Sequence, residues 1–82
     1  MKKAGNTETF DFSLVITGVS QLTAEVQDAL FNAGCDDATL SIQARHLYAD
    51  FSRAASSMKE AVRSAIRDVR QARIGAEVLA NI

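Results

Sequence analysis

Lys59, Arg63, Arg67 and Arg70 recur at i, i+4, i+8 and i+11. On an α-helix that spacing sets four cations in one row over about three turns. Such a row suits phosphate groups or an acidic protein surface. The charge distribution along the chain adds to it. Residues 56–74 hold five basic and two acidic side chains, whereas residues 1–55 hold four basic and seven acidic ones. Arg63 and Arg67 repel each other mildly at their spacing, which a purely structural helix face has no reason to choose. The plainer reading is a solvated face, since arginine is a good helix former. The row is the candidate interaction surface.

Other chemistry is sparse. Cys35, Asp36, Asp37 and His46 are the only residues that resemble metal ligands. One thiol and one imidazole without a Cys-x-x-Cys pair make a weak set. The plainer reading is a small residue after a helix stop, two turn-forming acids and a strand-end histidine. Ser56 and Ser57 precede a helix and read as caps. His46 has no evident nucleophile beside it. Gly18 stands alone, without the further glycines of a phosphate-binding loop. No catalytic residue, cofactor or metal is expected, and the chain reads as a non-enzymatic protein.

The elements that position these residues follow from periodicity. Thr9 to Thr17 alternates strictly, with Phe10, Phe12, Leu14 and Ile16 on one face. Leu22, Val26, Ala29, Leu30 and Ala33 form a helical stripe, with Thr23 as its cap and Gly34 as its stop. Ala38 to Gln43 and His46 to Ser52 read as a hairpin. Its apolar residues share one side if Gln43 pairs with His46, Ile42 with Leu47 and Leu40 with Ala49. Ala44-Arg45 is poor chemistry for so tight a turn, so the hydrophobic face must set the register. Ser57-Met58-Lys59-Glu60 is a capping box opening a second helix. Its stripe is Met58, Ala61, Val62, Ala65, Ile66 and Val69, and it runs to about Arg73, with Gly75 as its end. Ala76 to Ile82 reads as the last strand, with Val78, Ala80 and Ile82 facing the core.

The order βαββαβ predicts an α+β, ferredoxin-like fold. That fold is a four-stranded antiparallel sheet in the order 4-1-3-2 with both helices on one face. Residues 1–8 are polar and read as a flexible N-terminus, leaving 9–82 as one domain. The chain has 82 residues, a net charge of −1 and 48% hydrophobic residues, which suits one globular unit and excludes disorder along its length. A single cysteine excludes an internal disulfide and fits a reducing compartment, so the expected setting is the cytoplasm. No run of the sequence approaches a transmembrane span, and no membrane partner is expected.

The sheet face away from the helices should carry Asp11, Ser13, Val15 and Thr17 from the first strand. Thr39, Ser41, Gln43, His46, Tyr48, Asp50 and Ser52 come from the hairpin, and Glu77, Leu79 and Asn81 from the last strand. RNA-recognition sheets stack bases on several aromatics. Here Tyr48 is the only one, and Asp11 and Asp50 would repel phosphate. A polar, self-associating surface is the expectation, with Val15, Tyr48 and Leu79 as candidate contacts. The proline-free last strand would also be open to edge pairing. Self-association as a dimer is expected.

Several stretches resemble a group of poorly characterised small bacterial proteins. They are Leu22 to Leu40, with Ala33-Gly34-Cys35-Asp36-Asp37-Ala38-Thr39-Leu40, then Ala49-Asp50-Phe51-Ser52-Arg53-Ala54-Ala55-Ser56, then Ala61 to Arg70. In that group such a domain precedes a helix-turn-helix, and the proteins are described as candidate DNA-binding regulators. The similarity spans about Phe10 to Leu79. Longer members continue past the position of Ile82 into the helix-turn-helix, and a glycine is usual where this hairpin has Ala44-Arg45. The resemblance implies the architecture and a regulatory or dimerising role. It does not carry direct DNA binding over, because the recognition helix would lie beyond Ile82. A product of a mobile gene cassette and a piece of a longer protein both fit.

The sequence therefore points to a self-associating protein-interaction module. Two alternatives remain. One is a small-ligand sensor resembling amino-acid-binding domains, using the loop Gly18 to Leu22. The other is nucleic-acid binding through the basic row.

Overall fold

The structure, a computed structural model, describes residues 7–82. Residues 1–6 of the expected flexible N-terminus lie outside the described residues. Glu8 does not belong to a loose tail, because it opens β1 (Glu8–Thr17) and pairs with Ala55. α1 (Ala24–Leu30) follows, capped by Thr23, whose hydroxyl accepts the Val26 N–H at 3.2 Å. A π-type turn at Phe31–Cys35 breaks at Gly34, where φ is +117°. Then come β2 (Ala38–Gln43), β3 (His46–Ala55), α2 (Met58–Gln71) and β4 (Glu77–Asn81).

The architecture is α+β. One four-stranded antiparallel sheet runs in the order β2-β3-β1-β4, which from the other edge is β4-β1-β3-β2. The core lies on one face of it. Phe12, Leu14, Ile16, Leu47, Ala49 and Phe51 pack there against Leu30 at the end of α1, Cys35 at the end of the π-type turn, and Ala61, Ala65 and Val69 of α2. Phe12 and Phe51, opposite each other on β1 and β3, stack with ring centroids 5.2 Å apart. No helix among the described residues is long and apolar enough to cross a membrane.

The β2–β3 hairpin takes the expected register, Gln43 with His46, Ile42 with Leu47 and Leu40 with Ala49. Ala44 and Arg45 adopt φ of +52° and +66° to make the turn. Two side-chain-bearing residues thus occupy a conformation that costs about 1–2 kcal/mol each. Burial of Leu47, Ala49 and Phe51 on the face that this register aligns offsets it.

Four boundaries or faces differ from the sequence reading. β3 continues beyond Ser52 to Ala55, because β1 also continues and pairs with it down to Glu8. Helix α2 stops at Gln71, and Arg73 rather than Gly75 makes the first left-handed residue after it. Only part of the α2 stripe is core. Ala61, Ala65 and Val69 are buried, while Met58, Val62 and Ile66 lie toward the surface.

The last difference concerns β4. The β1–β4 register shifts between Val15 and Ile16, so Ile16 pairs with Val78 and Val15 with Ala80, leaving Leu79 as an extra residue. Directly opposed residues share a face. Beyond this bulge Ala80 joins Val15 on the face away from the helices, and Asn81 joins Leu14 on the helix side. The expected faces of Ala80, Asn81 and Ile82 are therefore reversed.

A candidate protein-docking groove and a buried arginine clamp

The basic row lies as its spacing predicts. Lys59, Arg63, Arg67 and Arg70 are all exposed on α2. Ser57 Oγ accepts the Glu60 N–H at 3.1 Å and holds the first turn in place. The row does not stand on a plain solvated face, however. It rims an open groove of about 790 Å³ whose apolar floor is Met58, Val62 and Ile66. Gln71 and Asn81 complete the wall, and the bulge in β4 is what brings Asn81 there. The floor of this groove is the outer part of the α2 stripe, half-buried Val62 and Ile66 at the edge of the core and exposed Met58.

Few acids oppose the rim. Arg63 Nη1 is 3.6 Å from Glu60 Oε1, both groups being exposed, which contributes little in water. Arg67 Nε is 3.5 Å from Asp68 Oδ1. Lys59 and Arg70 have no salt bridge among the described residues.

Beneath α2 lies a feature the sequence reading missed. Arg53 continues the core-facing row Leu47, Ala49, Phe51 on β3 and is 7% exposed. Its guanidinium makes four hydrogen bonds and one further close ion pair. Nε donates to Asp37 Oδ2 at 2.8 Å and Nη2 to Asp37 Oδ1 at 3.0 Å, a two-pronged carboxylate pair. Nη2 also donates to the Gly34 carbonyl at 2.7 Å. Nη1 donates to Ser64 Oγ and lies against Asp68 Oδ2, both at 3.0 Å. The guanidinium carbon is 5.0 Å from the centre of the Phe51 ring, a cation–π distance. The hydrogen bond to Asp37 is the chief reason that the Arg53 pKa is raised. One side chain thus clamps β3 to the start of β2, to the Gly34 turn and to α2. Its partners are used up structurally, and no buried side-chain polar atom among the described residues lacks one.

The residues that resembled metal ligands are not brought together. Cys35 is in the core, Asp37 is held by Arg53, and His46 lies at the hairpin turn with Nδ1 2.9 Å from the Ala44 carbonyl oxygen. Among the described residues no group of three or more His, Cys, Asp or Glu side chains could hold a metal. Burial first, and the Asp68 charge second, push the Cys35 thiol up from 9.0 to about 11. The unfolded chain releases this proton at lower pH than the folded one. Stability from this group is therefore complete below about pH 9 and falls as pH rises toward about 11. The loss should reach about 2–3 kcal/mol. Urea denaturation at about pH 8 and about pH 10.5 should show it, and Cys35→Ala should flatten that dependence. An unchanged slope in the variant would show that Cys35 plays no part.

The candidate self-association residues separate. Val15 faces away from the helices but is 9% exposed, between its cross-strand neighbours Tyr48 and Ala80, so it offers no free contact. Tyr48 is half-buried, and Leu79 is 62% exposed. On the same face Ser13 Oγ donates to Asp50 Oδ1 at 2.5 Å. The loop proposed for small ligands is partly filled. At Gly18, φ is +92° and the Gly75 carbonyl stands where a β-carbon would be, so the β1–α1 and α2–β4 loops touch there.

Comparison with family models, curated proteins and solved structures finds no match for this chain.

Proposed function

We propose that this protein is a non-enzymatic interaction module of ferredoxin-like βαββαβ architecture, working in a regulatory setting in the cytoplasm. It binds another protein through the groove along α2. The observation that carries this reading is the joining of two features on one helix. An apolar floor of Met58, Val62 and Ile66 runs beside a basic rim of Lys59, Arg63, Arg67 and Arg70. An open apolar surface rimmed by polar or charged side chains is a mark of protein-binding sites. Nucleic acid would use the rim but gain nothing from the floor, so an acidic, partly apolar protein surface fits better. The architecture is supported by the strand order and by both helices packing on one sheet face.

The test is charge reversal. Arg63 and Arg70 are the residues to change. Arg67 lies against buried Asp68, and a carboxylate there would disturb the clamp as well as the groove. Affinity capture with the wild-type protein and with Arg63→Glu/Arg70→Glu, followed by reconstitution of the captured protein from purified components, should give a saturable pair. The variant should weaken it about tenfold or more and leave thermal unfolding nearly unchanged. Equal binding by both would remove the groove from the account. Tight, salt-dependent binding of a labelled duplex by the wild type would favour the nucleic-acid reading instead.

A second reading, self-association, rests on exposed apolar side chains in and next to β4, Leu79 at 62% and Ile82 at 67%. Ile82 exchanges backbone bonds with Ser13 and so shares its face, away from the helices. Two copies would then meet through the open sheet faces. Light scattering across a dilution series should show a dimer that Leu79→Glu disperses. A monomer at every concentration would end this reading.

A further inference from the structure

The strand beside the groove has a free edge. β1 pairs with one side of β4, and among the described residues no strand pairs with the other. Ser13 and Ile82 exchange both backbone hydrogen bonds, at 2.9 and 2.8 Å. Antiparallel pairing alternates, so the next residue inward, Asn81, turns its N–H and C=O away from β1 toward the open edge. The Asn81 side chain meanwhile lines the groove. Free main-chain groups and groove wall therefore meet at one residue. A further strand laid about 4.8 Å beyond β4 would run below the groove, with every second side chain directed toward it.

The obvious occupant would be β4 of a second copy. Charge argues against it. Edge-to-edge pairing about a two-fold axis would bring two α2 helices over the joined sheet with their basic rows facing each other. Eight cations would meet across that seam, and the acids beside them on α2 are the exposed Glu60 and the buried Asp68 of each copy. Like charges set against each other exclude a partner as effectively as a steric clash. The same rim attracts an acidic strand.

We infer that β4 accepts an extended segment of another protein as a fifth strand, with apolar and acidic side chains alternating along the face that meets the groove. This names the partner class for the groove and rests on the interaction reading above. Main-chain bonds to the β4 edge supply register, and the groove supplies selectivity. The apolar side chains cover Met58, Val62 and Ile66, and the acidic ones reach Lys59, Arg63, Arg67 or Arg70.

The probe is a capped peptide, Val-Thr-Glu-Thr-Val-Thr-Glu-Thr-Val, in which valine and glutamate alternate on one face. Amide spectra and hydrogen exchange of the intact protein are followed during titration. Saturable shifts along α2 and β4 are expected, and exchange at the Asn81 amide should slow about tenfold or more at saturation. A counterpart with glutamine for glutamate should bind about tenfold more weakly. Asn81→Pro removes the outward donor at an edge position where proline is tolerated, and should weaken the peptide by a similar factor. The exchange measurement on the wild-type protein stands even if that variant unfolds. Shifts along α2 with Asn81 exchange unchanged would overturn strand addition and leave the groove reading intact. No shift up to about 1 mM peptide would overturn the inference, whereas failure of charge reversal on a reconstituted partner would overturn the groove itself.

Discussion

Arg53→Ala should destabilise the fold by about 3–5 kcal/mol, because it removes one partner from a buried charge cluster and leaves the other behind. Asp68 is 8% exposed and touches α2's own Arg67 at 3.5 Å, and otherwise relies on Arg53. The Gly34 carbonyl and Ser64 hydroxyl lose a donor as well. A domain of this size has only several kcal/mol in hand, so much of the variant should be unfolded at room temperature. Circular dichroism during heating checks this, with a drop in Tm of about 12 °C or more expected. Arg53→Lys should rescue little, since an ammonium cannot reproduce the two-pronged bond to Asp37. Removing the cluster together, as Arg53→Met with Asp37→Asn and Asp68→Asn, should recover a large part of the loss. Buried ion networks are often replaceable as a whole though not in part. If Arg53→Ala melts like the wild type, the clamp does not hold the fold together.

The second large effect is at Gly34. Its φ of +117° is closed to other residues without strain, and a β-carbon there would lie 2.7 Å from Asp68 Oδ2 and 2.9 Å from Asp68 Cγ. An exposed carboxylate would swing aside, but this one is held by Arg53. Gly34→Ala should cost about 1–2 kcal/mol for the conformation and about 1–3 kcal/mol for the forced displacement. Urea denaturation reads the sum. Combining Gly34→Ala with Asp68→Ala should be less harmful than the two losses added, because the clash and the clamp share one carboxylate. Strict additivity would mean the two sites do not touch.

How much of this was open to reading from the sequence depends on the residue. The hairpin register was legible because Leu40, Ile42, Leu47, Ala49 and Phe51 repeat with period two, which excludes odd slips, and a two-residue loop at Ala44-Arg45 selects the pairing among the rest. Helix α2 was legible through its capping serine and basic row. The groove floor was harder to see. Six apolar residues at helical spacing read as core, whereas only Ala61, Ala65 and Val69 are fully buried, Val62 and Ile66 pack at the core's edge and Met58 is exposed. The reversal in β4 was hidden, since one extra residue in a strand leaves the alternation of types intact while changing which face each type meets. Arg53 carries a signal of its own. Extending the β3 alternation one step past Phe51 places a charge on the core face, which demands partners. Those partners, Gly34, Asp37, Ser64 and Asp68, lie on other elements, and no local pattern names them.

The clamp also bears on ancestry. Gly34 is small because Asp68 needs the space, Asp68 is acidic because Arg53 is there, and Asp37 turns toward the same guanidinium. Substitution at any one of these positions is penalised unless the others change with it. Descendants of a common ancestor should therefore keep or exchange the four as a set while their surfaces diverge freely. A glycine and an aspartate flanking Cys35-Asp36, an arginine in the third strand and an aspartate in the second helix would mark kinship where overall identity has faded.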